Sequence, residues 1–549
     1  MIQSIDYYAI AAPLILAVTA GIVLLLGAFL PFDRPRRRAD LPAATVSDAG
    51  SRVRAGDSAD AIAETPGSTG PAGASGRAPS RATILGGVTL VGVLAALGVI
   101  AAQGAQGAVR RTFCVPAGLN GGGPSACSFV IDGVTLVFAG VMLASGVVIV
   151  LLSMGEIAKG TVPAGEWYFL LLCTLTGAVL LPASRDLIML VVALELVSLP
   201  VFALAALRRH DPRGSEAALK LFLVSVVSTA VTLFGISLLY GMSGTVFLDR
   251  LGVATERAEF GPNLGLIVTV LVVAGFAFKV AAVPFHFWAA DVYRGAAIPV
   301  AALLSVISKA AGFAGLILLL TTALGARAAL WTPVVAVLSA LTMTAGNLLA
   351  LRQRQAVRLL AWSSVAQSGY ILAPLAVWGT GRGAPAAASM AYLVFYAAMN
   401  IGAFAVVMLV ARGSADEGGD AIDDYRGLLF RRPAAALSLA FFLICLAGLP
   451  PGMAGLFAKI VVFREIVDGG AGWLAVVMAV NTVVGLYYYV GWAARLFTAE
   501  APGAGREPYG GRGRRAGPVG VAIAATLAAA VLFSVAPQVV FGILPSAVG

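Results

Sequence analysis

The chain has 549 residues, of which 59% are hydrophobic and 12% are charged, whereas about 25% of the residues in a soluble globular domain are charged. The deficit extends along the whole chain, which excludes a soluble protein with one anchor and predicts a polytopic membrane protein. The net charge of +10 comes from loop arginines that orient membrane helices, and it does not indicate nucleic-acid binding.

The apolar runs predict about fourteen membrane-spanning helices, since a span needs about 20 apolar residues. The first run is too long for the core of a cleaved signal peptide and has no basic start, so we interpret it as a span. The fourth run is short, and the twelfth is long and interrupted. The predicted spans are residues 10–30, 83–102, 129–152, 167–181, 184–207, 215–240, 263–288, 296–322, 330–350, 356–378, 385–411, 433–466, 473–497 and 518–543.

The spans and the loops between them divide the chain into segments. Residues 31–82 are rich in alanine, glycine, serine and proline, which predicts a disordered cytoplasmic linker, with docking to a partner as the alternative. The predicted division is the first transmembrane helix (1–30), the linker (31–82), helices 2–3 (83–153), a first repeat (154–322), a second repeat (323–497), and a cytoplasmic loop with the last helix (498–549).

The arginines predict the orientation of these spans. With the N-terminus outside, most loop arginines lie inside, and an even number of spans also places the C-terminus outside. We therefore expect a multi-pass membrane protein with both termini outside. The loop at residues 103–128 then lies in the oxidising compartment, where a disulfide between Cys114 and Cys127 is possible.

The lysines differ from the arginines, because four of the five lie inside apolar runs. A buried lysine can lose its proton, whereas arginine stays charged. A cation at the membrane centre costs about 2.5–3.5 kcal/mol on insertion scales, so intramembrane charges mark proton or ion pathways by default, with structural ion pairs as the alternative. The four lysines are Lys220, Lys279, Lys309 and Lys459.

Two further residues accompany the lysines. Glu195 lies at the centre of the fifth span, and an ion pair with Lys220 in the next, antiparallel span is feasible. Lys220 could instead form a structural ion pair that holds two helices together, or its side chain could extend to the cytoplasmic end of the span. His286 follows Lys279 by seven residues, which places both on one face of a continuous helix. It could relay protons or be an ordinary hydrogen-bonded interior histidine.

Helix-breaking residues recur near two of the lysines. Pro284 lies beside Lys279, and the segment Gly448–Gly452 precedes Lys459, five spans later. Because five is an odd number, the second copy would enter the membrane from the side opposite to the first. This relation is typical of inverted-repeat transporters. The sequence therefore predicts an all-α polytopic membrane protein with two inverted five-helix repeats, spans 4–8 and 9–13, in which spans 7 and 12 are discontinuous.

The sequence has no haem-ligand pair at mid-membrane, no cysteine cluster and no phosphate-binding loop. We expect no cofactor in this chain, so a proton path through it must use a gradient or be driven by a partner.

These residues resemble the antiporter-like membrane subunits of respiratory complex I, closest to the subunit N branch, over roughly residues 129–500. The stretches that carry the resemblance are Glu166–Tyr168, Ala193–Leu196, Ser215–Lys220, Leu239–Gly241, Phe278–Trp288, Asp291–Tyr293, Ser308–Gly312, Arg358–Ser364 and Leu446–Pro451.

The resemblance implies roles for the buried charges. Glu195 and Lys220 would be an ion pair that controls the protonation of Lys279. Lys279, His286 and Lys309 would carry protons through the first half, and Lys459 would be the terminal lysine of the second half.

The resemblance also implies a setting. Quinone reduction elsewhere in NADH:quinone oxidoreductase, with FMN, Fe–S clusters and a quinone, would drive the cycle. The partners would be other membrane subunits and lipids. A subunit of a sodium/proton antiporter or of a related membrane-bound hydrogenase, and a non-catalytic scaffold, are the alternatives.

Overall fold

The computed structural model describes residues 5–30, 80–116, 126–208, 211–257, 262–381, 383–411, 420–499 and 517–545. Most of the predicted linker and of the loop near residues 500–516 lies outside these ranges. The all-α polytopic class is confirmed. Within the described part, eleven helices are long and apolar enough to cross a membrane.

The helices are taken in chain order. They are α1 (Ala11–Phe29), α2 (Arg81–Gln106), α3 (Gly133–Ile157), α4 (Ala164–Ala183), α5 (Leu187–Ala206), α6 (Pro212–Ser243), α7 (Leu248–Arg257), α8 (Pro262–Lys279), α9 (Trp288–Gly295), α10 (Ile298–Leu303), α11 (Lys309–Leu318), α12 (Ala328–Leu351), α13 (Ala356–Leu372), α14 (Pro385–Ala411), α15 (Leu428–Arg431), α16 (Pro433–Ala447), α17 (Met453–Asp468), α18 (Gly472–Phe497), α19 (Pro518–Val535) and α20 (Gln538–Phe541).

Short helices of other types connect these elements. Two π-helical turns flank α11, and three 3-10 turns follow later. They are Leu304–Ser308, Leu319–Ala323, Gly325–Arg327, Ala373–Val377 and Ile422–Tyr425.

The three predicted spans that are not among the eleven long helices correspond to shorter ones. The seventh span is divided between α8 and α9, the tenth is α13, and the twelfth is divided between α16 and α17. The interruptions of spans 7 and 12 thus coincide with the proline-containing segments, because proline removes a backbone donor and clashes with the preceding turn. The count of fourteen spans and the inverted symmetry of the repeats stay predictions.

The centre of the bundle consists of the segment Ile298–Ala323 and of α14, which are mostly buried. Close helix contacts there depend on glycine. A Cβ at Gly177 of α4 would lie 2.7 Å from the backbone of α5 at Val197, and one at Gly346 of α12 would overlap the backbone of α13 at Ala366. The first two helices of each predicted repeat therefore approach each other through a glycine.

One β-hairpin, which the sequence reasoning missed, lies between α2 and α3. Strands β1 (Arg110–Cys114) and β2 (Cys127–Ile131) are antiparallel and place Cys114 opposite Cys127. A disulfide joins these two cysteines. The ion pair between Arg110 and Asp6, at 3.3 Å, attaches the hairpin to the segment before α1.

Counting reactive thiols in the denatured chain tests this disulfide. Without reductant, we expect alkylation of only the two free cysteines, Cys173 and Cys445, and with reductant we expect alkylation of all four. Mass spectrometry of the intact chain measures the difference. A Cys114→Ser variant serves as the control, because it should release Cys127 without reductant. Four modified cysteines in the unreduced native chain would contradict the disulfide.

Candidate functional site: a row of buried lysines

The first buried lysine, Lys279, is the last residue of α8. Residues 280–287 are not helical, and Ala281 in this segment has a φ of 56°. A non-glycine residue in the left-handed region is strained, and such residues cluster at functional sites. The break leaves the Lys279 side chain at the end of a half-helix, facing α5 and α6.

Lys279 is held by polar groups from two neighbouring helices. Its Nζ donates to the Oγ of Ser198, at 2.7 Å, and to the Oγ of Ser225, at 2.9 Å. The carboxylate of Glu195 lies 3.6 Å from the same Nζ. Thr229 donates to Glu195 Oε1 at 2.6 Å. The lysine, which is 6% exposed, therefore has one carboxylate partner and two hydroxyl partners.

The predicted ion pair between Glu195 and Lys220 is not formed. Glu195 faces Thr229 on α6, whereas Lys220 lies nine residues earlier, which is about 13 Å along a helix axis. Lys220 instead pairs with Glu216, at 2.7 Å, and with Asp291, at 3.4 Å, and its side chain is 46% exposed in this chain. The direct carboxylate partner of Lys279 is Glu195, and Lys220 belongs to a separate cluster.

The second buried lysine, Lys309, begins α11 directly after the π-helical turn Leu304–Ser308. Single π-helical turns inside helices are frequent at functional sites. Its Nζ donates to the carbonyl oxygen of Ser364, at 2.5 Å, and to Ser368 Oγ, at 2.9 Å. Ser368 Oγ also contacts the carbonyl oxygen of Val280, at 2.7 Å. One hydroxyl of α13 thus connects Lys309 to the residue that follows Lys279.

The third buried lysine, Lys459, lies at the second helix break. Its Nζ donates to the carbonyl oxygens of Ala447, at 2.6 Å, and of Leu446, at 3.3 Å, which are the last carbonyls of α16. A cation at this place satisfies unpaired carbonyls and opposes the negative end of the helix dipole. Within the described part of the chain, neither Lys309 nor Lys459 forms an ion pair with a carboxylate.

A buried polar network in the second half extends from α13 to α14 and α18. Tyr392 of α14 donates to Gln367 Oε1 at 2.5 Å, and Gln367 donates to the hydroxyl of Tyr489 at 3.2 Å. Tyr392 stacks on Tyr370, and the ring of Tyr370 lies 5.7 Å from Lys459 Nζ. One side of α13 therefore contacts Lys309, and another leads toward Lys459.

His286 does not share a helix face with Lys279, because the helix ends at Lys279 and the intervening residues form turns. Its Nδ1 lies 3.3 Å from the carbonyl oxygen of Pro284. Its ring packs against Trp362, with 5.4 Å between the centroids. His286 is partly buried on the segment that joins α8 to α9, and a role for it stays a prediction.

Sequence reasoning missed the hydroxyl and amide partners of the lysines. A signal was present, because Ser198 follows Glu195 by three residues, and Ser225 and Thr229 are four apart. Positions three or four apart lie on one helix face. In α13 the signal is the series Ser364, Gln367 and Ser368 inside an apolar run, and such buried polar groups need partners. No cluster of three metal-ligating side chains occurs in the described residues.

Comparison with known proteins gives the family of the chain. Residues 184–485 match the family described as NADH:quinone oxidoreductase/Mrp antiporter, transmembrane. The chain is 51% identical to NADH-quinone oxidoreductase subunit N 2 of Streptomyces griseus over 78% of its own length and 82% of the relative. The chain belongs to this family. The resemblance to the antiporter-like subunits of complex I is thereby confirmed.

Further relatives extend the comparison. Subunit N of the NADH-quinone oxidoreductase of Salinispora tropica is 46% identical over 72% of this chain and 76% of that protein. Among solved structures, a chain of respiratory complex I from Thermus thermophilus matches with a TM-score of 0.70 and 27% identity, over 98% of this chain and 100% of that one. An archaeal membrane-bound sulfane sulfur reductase shares the fold, with a TM-score of 0.74 at 19% identity, over 97% of this chain and 95% of that one.

Proposed function

We propose that this chain is a proton-translocating membrane-arm subunit of NADH:quinone oxidoreductase, in which Lys279, Lys309 and Lys459 carry the protons. The observation that carries the proposal is that three buried lysines lie in a row around α13, with Lys309 bonded to Ser364 and Ser368 and with Lys459 against the ring of Tyr370. Ser368 contacts both Lys309 and the carbonyl of Val280, next to Lys279. The network of Gln367 and Tyr392 continues toward Lys459. Buried polar networks of this kind are suited to proton transfer between neighbouring groups.

The partners of each lysine suggest how its charge is controlled. Lys279 has Glu195 at 3.6 Å, so its protonated form is stabilised by an opposite charge. Among the described residues, Lys309 has only hydroxyl and carbonyl oxygens as hydrogen-bond partners, which stabilise its charge less than a carboxylate does. A proton therefore moves between sites of different affinity, and a change at Glu195 alters the balance between Lys279 and Lys309.

Energy for this cycle comes from outside the chain. We propose that FMN, Fe–S clusters and a quinone are bound by other subunits of the complex, and that quinone reduction there drives the lysines. The neighbours of the chain are other membrane subunits and lipids. We also propose that the chain lies in the bacterial cytoplasmic membrane with both termini outside, because this orientation leaves most loop arginines inside.

Replacing Lys309 with arginine tests whether a lysine must lose its proton. Lys309→Arg keeps the positive charge, but arginine stays protonated in proteins. We expect proton translocation by the assembled complex to fall at least several-fold. Quenching of a pH-sensitive dye in inside-out vesicles measures translocation, and NADH oxidation with a quinone acceptor measures turnover.

The matched control for this substitution is a lysine in a loop. Lys159, the one lysine outside the apolar runs, pairs with Glu156 at 2.8 Å. Because an arginine can keep this ion pair, Lys159→Arg should leave translocation unchanged. Normal pumping by Lys309→Arg, with normal assembly, would show that Lys309 acts as a fixed charge.

A further inference from the structure

A small cavity adjoins Lys279. Its volume is about 20 Å³, and a site of about 10–15 Å³ can hold one water molecule when polar partners surround it. The polar lining consists of Ser198, Ser225, Ser308 and Lys279 itself. A water in this cavity would be in contact with the proposed proton carrier, so access to the cavity controls access to Lys279.

Residues from α5, α6, α8, α9 and the π-helical turn before α11 line the cavity. The wall from α6 includes Leu221 and Ser225, and the wall from α9 is Trp288. The indole N–H of Trp288 donates to the carbonyl oxygen of Phe278 at 3.2 Å, which folds the start of α9 back against the end of α8. The cavity therefore depends on where α9 lies relative to α6.

An ion pair joins these two walls. Lys220 is adjacent to Leu221 on α6, and Asp291 follows Trp288 by three residues on α9. Lys220 Nζ lies 3.4 Å from Asp291 Oδ2. Both side chains are 46% exposed, whereas Lys279 is 6% exposed, so the pair lies closer to the surface of the chain than the lysine does.

Asp291 also connects α9 to the second half of the protein. Its other oxygen, Oδ1, lies 3.5 Å from Arg358 Nη2 on α13. The same helix α13 supplies Ser364 and Ser368, which hold Lys309. A movement of α9 is therefore linked to the helix that holds the next lysine.

We propose that the ion pair of Lys220 with Asp291 is a gate that closes the cavity beside Lys279, and that Asp291 is a positioning residue for proton entry. This proposal depends on one part of the proposed function, namely that Lys279 carries protons. Exposed ion pairs are weak, and the loss of one changes an equilibrium constant by only about two- to five-fold. Such a pair can open in each cycle, which a permanent structural link cannot do.

Accessibility of a cysteine in the cavity wall tests the gate. Leu221→Cys is introduced into the whole complex, with Cys173→Ala and Cys445→Ala to remove the free thiols. The complex is placed in lipid nanodiscs and labelled with a charged methanethiosulfonate, so that both faces are accessible. Adding Asp291→Asn should accelerate the labelling of residue 221 by about two- to five-fold, and Asp291→Glu should restore the slow rate.

Asp423→Asn is the matched control. Asp423 also pairs with arginines, Arg426 at 3.1 Å and Arg495 at 3.8 Å, but it does not line the cavity. Its replacement should leave the labelling rate unchanged. Equal rates for Asp291→Asn and its parent would overturn the gate, as would equally fast labelling of Asp291→Asn and Asp291→Glu.

Salt provides a second measurement that does not depend on assembly of the Asp291 variant. Potassium chloride screens exposed charges, so it should accelerate labelling of Leu221→Cys in the otherwise native gate. A rate independent of salt would also overturn the proposal. These rates are measured without pumping, so a failed gate is distinguishable from a failed proton path, which is tested by replacing Lys279 itself.

Discussion

Replacing Lys279 with alanine is expected to lower proton translocation and quinone reductase activity together, by on the order of tenfold or more. A proton-transfer step that loses its positioned group slows by about 10²–10⁴-fold, and tight coupling passes the loss to the redox reaction. The change removes the amine that Ser198, Ser225 and Glu195 surround. Translocation in inside-out vesicles and NADH-driven quinone reduction are the measurements.

The control separates a lost carrier from a lost complex. Assembly is followed by native gel electrophoresis, where we expect a normal amount of complex, because both serines line the adjoining cavity and water can occupy the space that the side chain leaves. Glu195→Gln, which removes the charge beside Lys279 but keeps the shape, should lower both activities in the same direction and by less. Normal translocation by the Lys279→Ala complex would refute the relay.

Lys459→Ala has the second large expected effect, and it acts in two ways. It removes the proposed terminal proton carrier of the second half, so translocation should again fall by on the order of tenfold or more. It also leaves the last carbonyls of α16, those of Leu446 and Ala447, without their donor. An unsatisfied buried group costs about 1–3 kcal/mol, so we expect less assembled complex as well.

Lys459→Arg distinguishes these two effects. Arginine can still donate to the carbonyls at the end of α16 but does not release its proton. We therefore expect near-normal assembly with low translocation per assembled complex. If Lys459→Arg pumps normally, Lys459 serves only to cap α16, and the proton path must end elsewhere.

The lysine row was visible in the sequence because each signal is local. Apolar runs of sufficient length identify the spans, and a charge inside a run stands out regardless of what surrounds it in space. The helix ends near Pro284 and at Gly448 were also visible, since proline and glycine act on their own backbone. The class of the protein and the family agree with these signals.

The sequence did not show which side chains of other helices contact each lysine. Glu195 was expected beside Lys220, but it lies beside Lys279, because the axial position of α6 places Ser225 and Thr229, and not Lys220, opposite α5. His286 was expected on the face of Lys279, but the chain leaves the helix before reaching it. The first error came from assuming the relative height of two helices, and the second from applying helical spacing across the break that Pro284 predicts.

By itself, the sequence determined that this is a polytopic helical membrane protein whose intramembrane cations are lysines, with helix breaks close to Lys279 and Lys459. Only the tertiary structure decided that Glu195 contacts Lys279, that α13 connects Lys309 to the second half, and that Asp291 bridges α6 and α13. The reason is physical. Helices that are apolar on all sides carry no amphipathic stripe, so their rotation and axial offset are set by packing against neighbours and are absent from the pattern along the chain.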